Sequence, residues 1–109
     1  MIAPGYDLEE IDLVFLEKSR AFLKEHSKRS PEKPFFLFHS TQAVHLPSFA
    51  ADTFKGKTKA GPHGDFIFEF DYIVGELMKA LDEHGLADNT PAILTRDNGP
   101  EAPARRPCP

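Results

Sequence analysis

Two short stretches of this chain carry residue types that can do chemistry. Residues 35–47 read FFLFHSTQAVHLP: an apolar run that breaks into Ser40, Thr41 and Gln42 and delivers His45 just before Leu46 and Pro47. An imidazole in such a loop can hydrogen-bond or protonate an oxyanion. Residues 95–99 read TRDNG, with Asp97 and Asn98 adjacent. Their side chains are hard oxygen donors suited to Ca²⁺ or Mg²⁺, and Gly99 permits the turn they need. Asp-Asn-Gly is also ordinary turn chemistry, and taken alone it reads as a turn. It rivals a ligand pair only if the chain brings it to face the His45 loop.

The elements that would bring them together are legible in the hydrophobic pattern. Residues 35–38, bounded by Pro34, form a wholly apolar run of the kind buried on both faces in a parallel sheet. Residues 90–95, TPAILT, form a second short run. Between them, residues 65–84 repeat apolar side chains at helical spacing: Ile67, Phe70, Val74, Leu77 and Leu81, widened by Phe66, Ile73 and Met78. Gly85 is the expected helix-ending glycine, with Leu86 positioned to close a Schellman cap. Asp71 reads as an exposed acid. Strand, crossover helix and strand make one βαβ unit, whose two strands end at the same sheet edge. Polar loops leaving that edge are where open α/β sheets place their chemistry.

Ahead of this unit, Asp7 with Glu10 resembles a capping box. Leu8, Ile11, Phe15 and Phe22, flanked by Val14 and Ala21, trace one face of a first helix that stops near Lys28, before Pro31 and Pro34. His26 reads as a solvated residue of its last turn. Residues 40–63 form a long polar connection in which Lys55, Lys57 and Lys59 read as solvated surface. Beyond Glu101, residues 102–109 are expected to form a disordered Pro-rich tail, which contains Cys108.

Composition excludes several classes. The 109 residues make one domain at most, with ten phenylalanines and no tryptophan to fill a modest core. A formal charge of −4 offers no basic stripe for nucleic acid. No run approaches the ~20 apolar residues of a membrane span. One cysteine rules out an internal disulfide and an all-cysteine metal site. MIAPGYDLEE has neither the basic region nor the apolar core of a signal peptide, so none is expected; localisation is otherwise unassigned.

In order and spacing, PFFLFHSTQAVHLP, GPHGDFIFEFDYIVGELMKALDEHGLADNT and ILTRDNGPE together resemble the sulfatase family over roughly residues 4–101. The resemblance implies part of an alkaline-phosphatase/sulfatase-like α/β fold, with an N-terminal helix and one βαβ unit of a larger, mostly parallel sheet. It implies that Asp97 and Asn98 are two oxygen ligands of a Ca²⁺ that holds and polarises the sulfate. His45 would hydrogen-bond the sulfate near the leaving oxygen, and the substrate would be a small sulfate ester or sulfated glycan. Departures are equally plain. The C-x-P-S-R signature that yields the formylglycine nucleophile is absent from these residues, as are the family's acidic ligands upstream and its active-site lysine downstream. Pro91 stands where a strand aliphatic is usual, and Arg96 replaces a small residue beside the metal pair. Residues 1–101 are therefore expected to be an internal fragment of a sulfatase catalytic domain, inactive alone. A related metal-dependent phosphate or phosphonate ester hydrolase fragment and a non-catalytic βαβ module remain as alternatives.

Overall fold

The computed structural model describes residues 4–5 and 7–99. Two helices and a one-turn 3₁₀ segment, Ala87–Asn89, make up its regular structure. The first helix, α1, spans Ile11–Arg29 and the second, α2, spans Gly61–Glu83.

α1 does not begin with the expected capping box. Asp7 instead closes a turn, its Oδ1 accepting the Glu9 N–H at 3.0 Å, and Glu10 occupies the cap position without a side-chain hydrogen bond. The helix also rolls away from the face traced by Leu8, Ile11, Phe15 and Phe22. Its buried stripe is Asp12, Leu16, Ser19 and Leu23, while Phe15 and Phe22 are exposed. Both stripes satisfy helical spacing. The one containing Asp12 and Ser19 wins because those polar groups find hydrogen-bond partners inside, which removes the usual cost of burying them. His26 is packed rather than solvated: its ring stacks on Phe22 and meets the edge of Phe35, with centroids 5.9 and 5.0 Å away.

α2 starts four residues before the expected Asp65, with a proline in its first turn, where a missing N–H costs nothing. Its centre line runs through Phe66, Glu69, Ile73 and Ala80, a step round from the expected Ile67 and Phe70 line, and Ile67 and Met78 are exposed. The C-terminus is as read from the sequence. Gly85 takes φ +66°, the Leu86 N–H reaches the Leu81 carbonyl at 2.9 Å, and Gly85 N–H reaches Asp82 at 3.1 Å. Leu86 packs against the cluster containing Leu81, so the Schellman motif has its hydrophobic contact. Asp71 is exposed, as expected.

The helices pack on each other around two small clusters. Leu23, Ala80 and Leu81 gather Phe35, Leu37, Leu86 and Ala87 at one end. At the other, Ala43, Ala50, Ala51, Phe54 and Phe66 gather Leu13 and Phe70. Arg20 ties α1 to α2 through Glu76 at 3.4 Å. Of the ten phenylalanines, only Phe54 and Phe66 are fully buried, so the aromatic bulk anticipated for the core is largely outside it.

The two expected strands are not formed as a ladder among the described residues, so the βαβ unit is not observed. Residues 35–39 nevertheless alternate in burial as a strand does, with Phe35, Leu37 and His39 turned inward. Their alternates face out: Phe36 is 88% exposed and Phe38 77%, and beyond α2 Ile93 is 86% exposed. Such side chains normally meet a neighbouring layer, and left open they favour association. The isolated chain is expected to self-associate as its concentration rises. The triple variant Phe36→Ser/Phe38→Ser/Ile93→Ser should stay monomeric, since these side chains contribute little to the fold. Sedimentation velocity across a concentration series checks this, and a wild-type chain that remains monomeric throughout would contradict it.

Candidate functional site

Everything that positions His45 depends on where the connection between the helices is tied down. Three carboxylates do this. Asp12, buried on α1, accepts the Gln42 and Ala43 N–H groups with its two oxygens, each at 2.8 Å. Glu69, buried on α2, accepts the Ala51 N–H at 2.8 Å. Asp65 accepts the Gly56 and Thr58 N–H groups at 2.7 and 2.8 Å and the Thr58 hydroxyl at 3.0 Å. The Gly56 and Thr58 N–H groups hold Asp65 below its usual carboxylate range, so it anchors as an anion. Residues 40–60 are thus an ordered connection, built on backbone N–H groups that a buried loop must otherwise leave unpaired. Lys55 is exposed, as expected, and is also ion-paired with Asp52 and Glu9, whose carboxylates raise its pKa.

Between the Asp12 and Glu69 anchors the chain turns back on itself. The His45 N–H meets the Gln42 carbonyl at 2.9 Å, and the Thr41 hydroxyl donates to the Ala43 carbonyl at 2.6 Å. His45 emerges from this turn exposed. Its Nδ1 contacts the Leu46 carbonyl, and a carbonyl can only accept, so Nδ1 carries the proton. That leaves Nε2 as the outward nitrogen, able to accept a hydrogen bond when neutral and to donate one when charged. Further along, Ser48 shares a 3.1 Å hydrogen bond with His63 in the first turn of α2. A cleft of about 380 Å³ lies beside it, lined by Ser48, Ala50, Lys55, Gly56, Pro62 and Asp65.

Asp97 and Asn98 lie in an exposed bend after the residue 90–96 stretch. The Asn98 side-chain amide donates to the Gly99 carbonyl at 2.7 Å, which turns its Oδ1 away from that bond. No hydrogen bond or ion pair among the described residues engages the Asp97 carboxylate. Neither residue is hydrogen-bonded to the His45 loop, and no group of three or more His, Cys, Asp or Glu gathers among the described residues to hold a metal. As donors, Asp97 and Asn98 suit Ca²⁺ in kind but supply two oxygens of the roughly six to eight it prefers. They fit as part of a cage, not as a whole one. The expected tail at residues 102–109, with Cys108, lies outside the described residues.

Sequence reasoning missed the buried polar set. Besides Asp12 and Glu69 it includes Ser19, whose hydroxyl is 2.8 Å from His39 Nδ1. Burial lowers the His39 pKa, with Asp12 opposing, and its Nε2 is buried without a partner. Burial pushes the Glu69 carboxyl up to about 7 against the pull of the Ala51 N–H. A signal was present: Glu69 stands three residues after Phe66 and four before Ile73, on the same helical line.

A family model described as Sulfatase matches residues 4–106. The N-acetylgalactosamine-6-O-sulfatase of Bacteroides thetaiotaomicron is 41% identical over 92 residues, covering 84% of this chain and 17% of that protein. Human arylsulfatase A is 41% identical over 70 residues, 64% of this chain and 14% of the relative. A solved structure from the metabolism of multiple glycosaminoglycans by Bacteroides thetaiotaomicron superposes with a TM-score of 0.70 at 38% identity. It covers 78% of this chain and 17% of that one. The chain thus spans about a sixth of the length of the proteins it matches.

Proposed function

From the premise that this chain belongs to the sulfatase family, we propose that it carries part of the site of a sulfuric ester hydrolase. In this reading His45 contacts the sulfate ester, and Asp97 and Asn98 are two of the ligands of a Ca²⁺. The observation that carries it is the His45 turn: an exposed imidazole, anchored on both sides, with Nε2 as its outward nitrogen. A nitrogen so placed can hydrogen-bond an oxyanion or give a proton to a departing oxygen. A bound Ca²⁺ would supply positive charge beside that oxyanion. The substrate class is a sulfate ester, a small molecule or a sulfated glycan; no nucleic acid or membrane enters the reading.

The βαβ pairing belongs to the same proposal. Residues 35–38 and 92–95 would be neighbouring strands of a larger, mostly parallel sheet, and the fold likeness to a solved structure with a TM-score of 0.70 supports this. Within these 109 residues the set is a fragment of a catalytic domain: it includes no C-x-P-S-R nucleophile, and only two metal ligands are identified. Ca²⁺ affinity should accordingly be weak, in the millimolar range of open extracellular sites or poorer. Calorimetric or NMR titration with Ca²⁺ checks it. Weak shifts confined to residues near Asp97 and Asn98, lost in Asp97→Ala, are expected. Tight binding elsewhere, or binding unchanged in Asp97→Ala, would count against the assignment.

A further inference from the structure

The two carboxylates that hold the His45 loop do so with different chemistry. Asp12 spends both oxygens on backbone N–H groups, those of Gln42 and Ala43. Both of its oxygens are thus satisfied by the loop's own backbone. Glu69 is 0% exposed and has one donor, the Ala51 N–H on Oε2, while its Oε1 is buried without a partner. Among the described residues no salt bridge engages it. From α1 the groups facing it are Asp12 and Glu10, both acidic. On its own helix Phe66 and Ile73 lie above and below it, with Asp65 one turn before. From the connection comes Ala51, whose N–H it accepts, and the Lys55 ammonium is held by Glu9 and Asp52 instead. From the residue 35–39 stretch comes His39, which lies beside Asp12 and whose pKa burial lowers. An ionised Glu69 would therefore be an uncompensated buried charge, which a protein relieves by protonation or by opening.

We propose that residues 42–51 are held by a two-ended carboxylate clamp, permanent at Asp12 and proton-operated at Glu69, so that loss of the Glu69 proton releases one end of the loop carrying His45. The clamp rests on the loop's own hydrogen bonds and stands whatever part His45 plays in catalysis. Protonated, Glu69 fits its apolar surroundings while its other oxygen takes the Ala51 N–H. Ionised, it is better hydrated outside, and leaving breaks that bond. The direction with pH follows. A carboxyl whose pKa is raised on folding stabilises the closed form fully below its ordinary range, and that contribution is lost as pH rises through its folded value. His39, with a lowered pKa, acts oppositely and favours the closed Asp12 end as pH rises. The two ends of one loop should thus diverge.

Amide hydrogen exchange followed by NMR on the whole chain, between pH 5 and 7 and corrected for intrinsic rates, reads both ends at once. Protection of the Ala51 amide should fall by up to about tenfold per pH unit, the slope of one linked proton. Protection of the Ala43 amide should hold level or rise. Glu69→Gln keeps an acceptor oxygen for Ala51 but cannot ionise, and should abolish the fall at Ala51 without changing Ala43. The proposal is overturned if Ala51 is unprotected at pH 5 or shows no fall. An equal fall at Ala43, which would mark global unfolding, overturns it too, as does a fall that persists in Glu69→Gln.

Discussion

Asp12→Ala should lose about 2–5 kcal/mol of stability and take most of a chain this size to the edge of unfolding. The substitution leaves the Gln42 and Ala43 N–H groups inside without an acceptor, and an unsatisfied buried donor costs about 1–3 kcal/mol. Single domains are stable by only about 5–15 kcal/mol, and this one has two small clusters instead of one continuous core. Asp12→Asn is the control that separates hydrogen bonding from packing. It preserves shape and one acceptor oxygen but presents an NH₂ to the second N–H, so its loss should be intermediate. Urea unfolding of the three proteins at pH 6 measures this. An Asp12→Ala chain within about 0.5 kcal/mol of wild type, the spread of ordinary surface changes, would show that Asp12 does not hold the loop.

The same residue marks the limit of what the sequence made legible. The helices came through: α1, α2 and the Schellman cap at Gly85 all follow from spacing and from a glycine that accepts positive φ. The buried faces did not. On α1 an aromatic line through Phe15 and Phe22 competes with a thinner line through Asp12, Leu16, Ser19 and Leu23, and apolarity favours the wrong one. What decides between them is whether buried polar groups find partners across the chain. Asp12 meets residues 30 and 31 positions away, and no local pattern encodes that. Glu69 was hidden for the same reason, an acid on a Phe-rich helix being easily read as solvent-facing. The apolar runs at 35–38 and 92–95 pose a different problem. A strand is a property of a pair, and the alternation of Phe35, Phe36, Leu37 and Phe38 has no hydrogen-bonded neighbour among the described residues. For the site, His45 stands in an exposed turn and Asp97 with Asn98 in an exposed bend, without the strand ends that were expected to deliver them. Their juxtaposition was an inference from βαβ topology, and it stays a proposal with that topology.

On the proposed reading, these 109 residues hold pieces of a sulfatase site, His45, Asp97 and Asn98, and no formylglycine signature is among them. Covalent catalysis needs an activated nucleophile. The 109 residues contain no C-x-P-S-R sequence. What remains is His45, and general acid–base assistance contributes about 10²–10⁴-fold. Enzymes acting on unreactive esters need accelerations many orders of magnitude beyond that. The two proposed ligands, Asp97 and Asn98, would not make up the difference, because a loosely held Ca²⁺ could not be aimed at a developing charge. The direct test is hydrolysis of p-nitrophenyl sulfate with Ca²⁺ present, comparing the purified chain with its His45→Ala variant. Equal rates at the uncatalysed background in both are the predicted result. Turnover by the wild-type chain that disappears in His45→Ala would contradict the account.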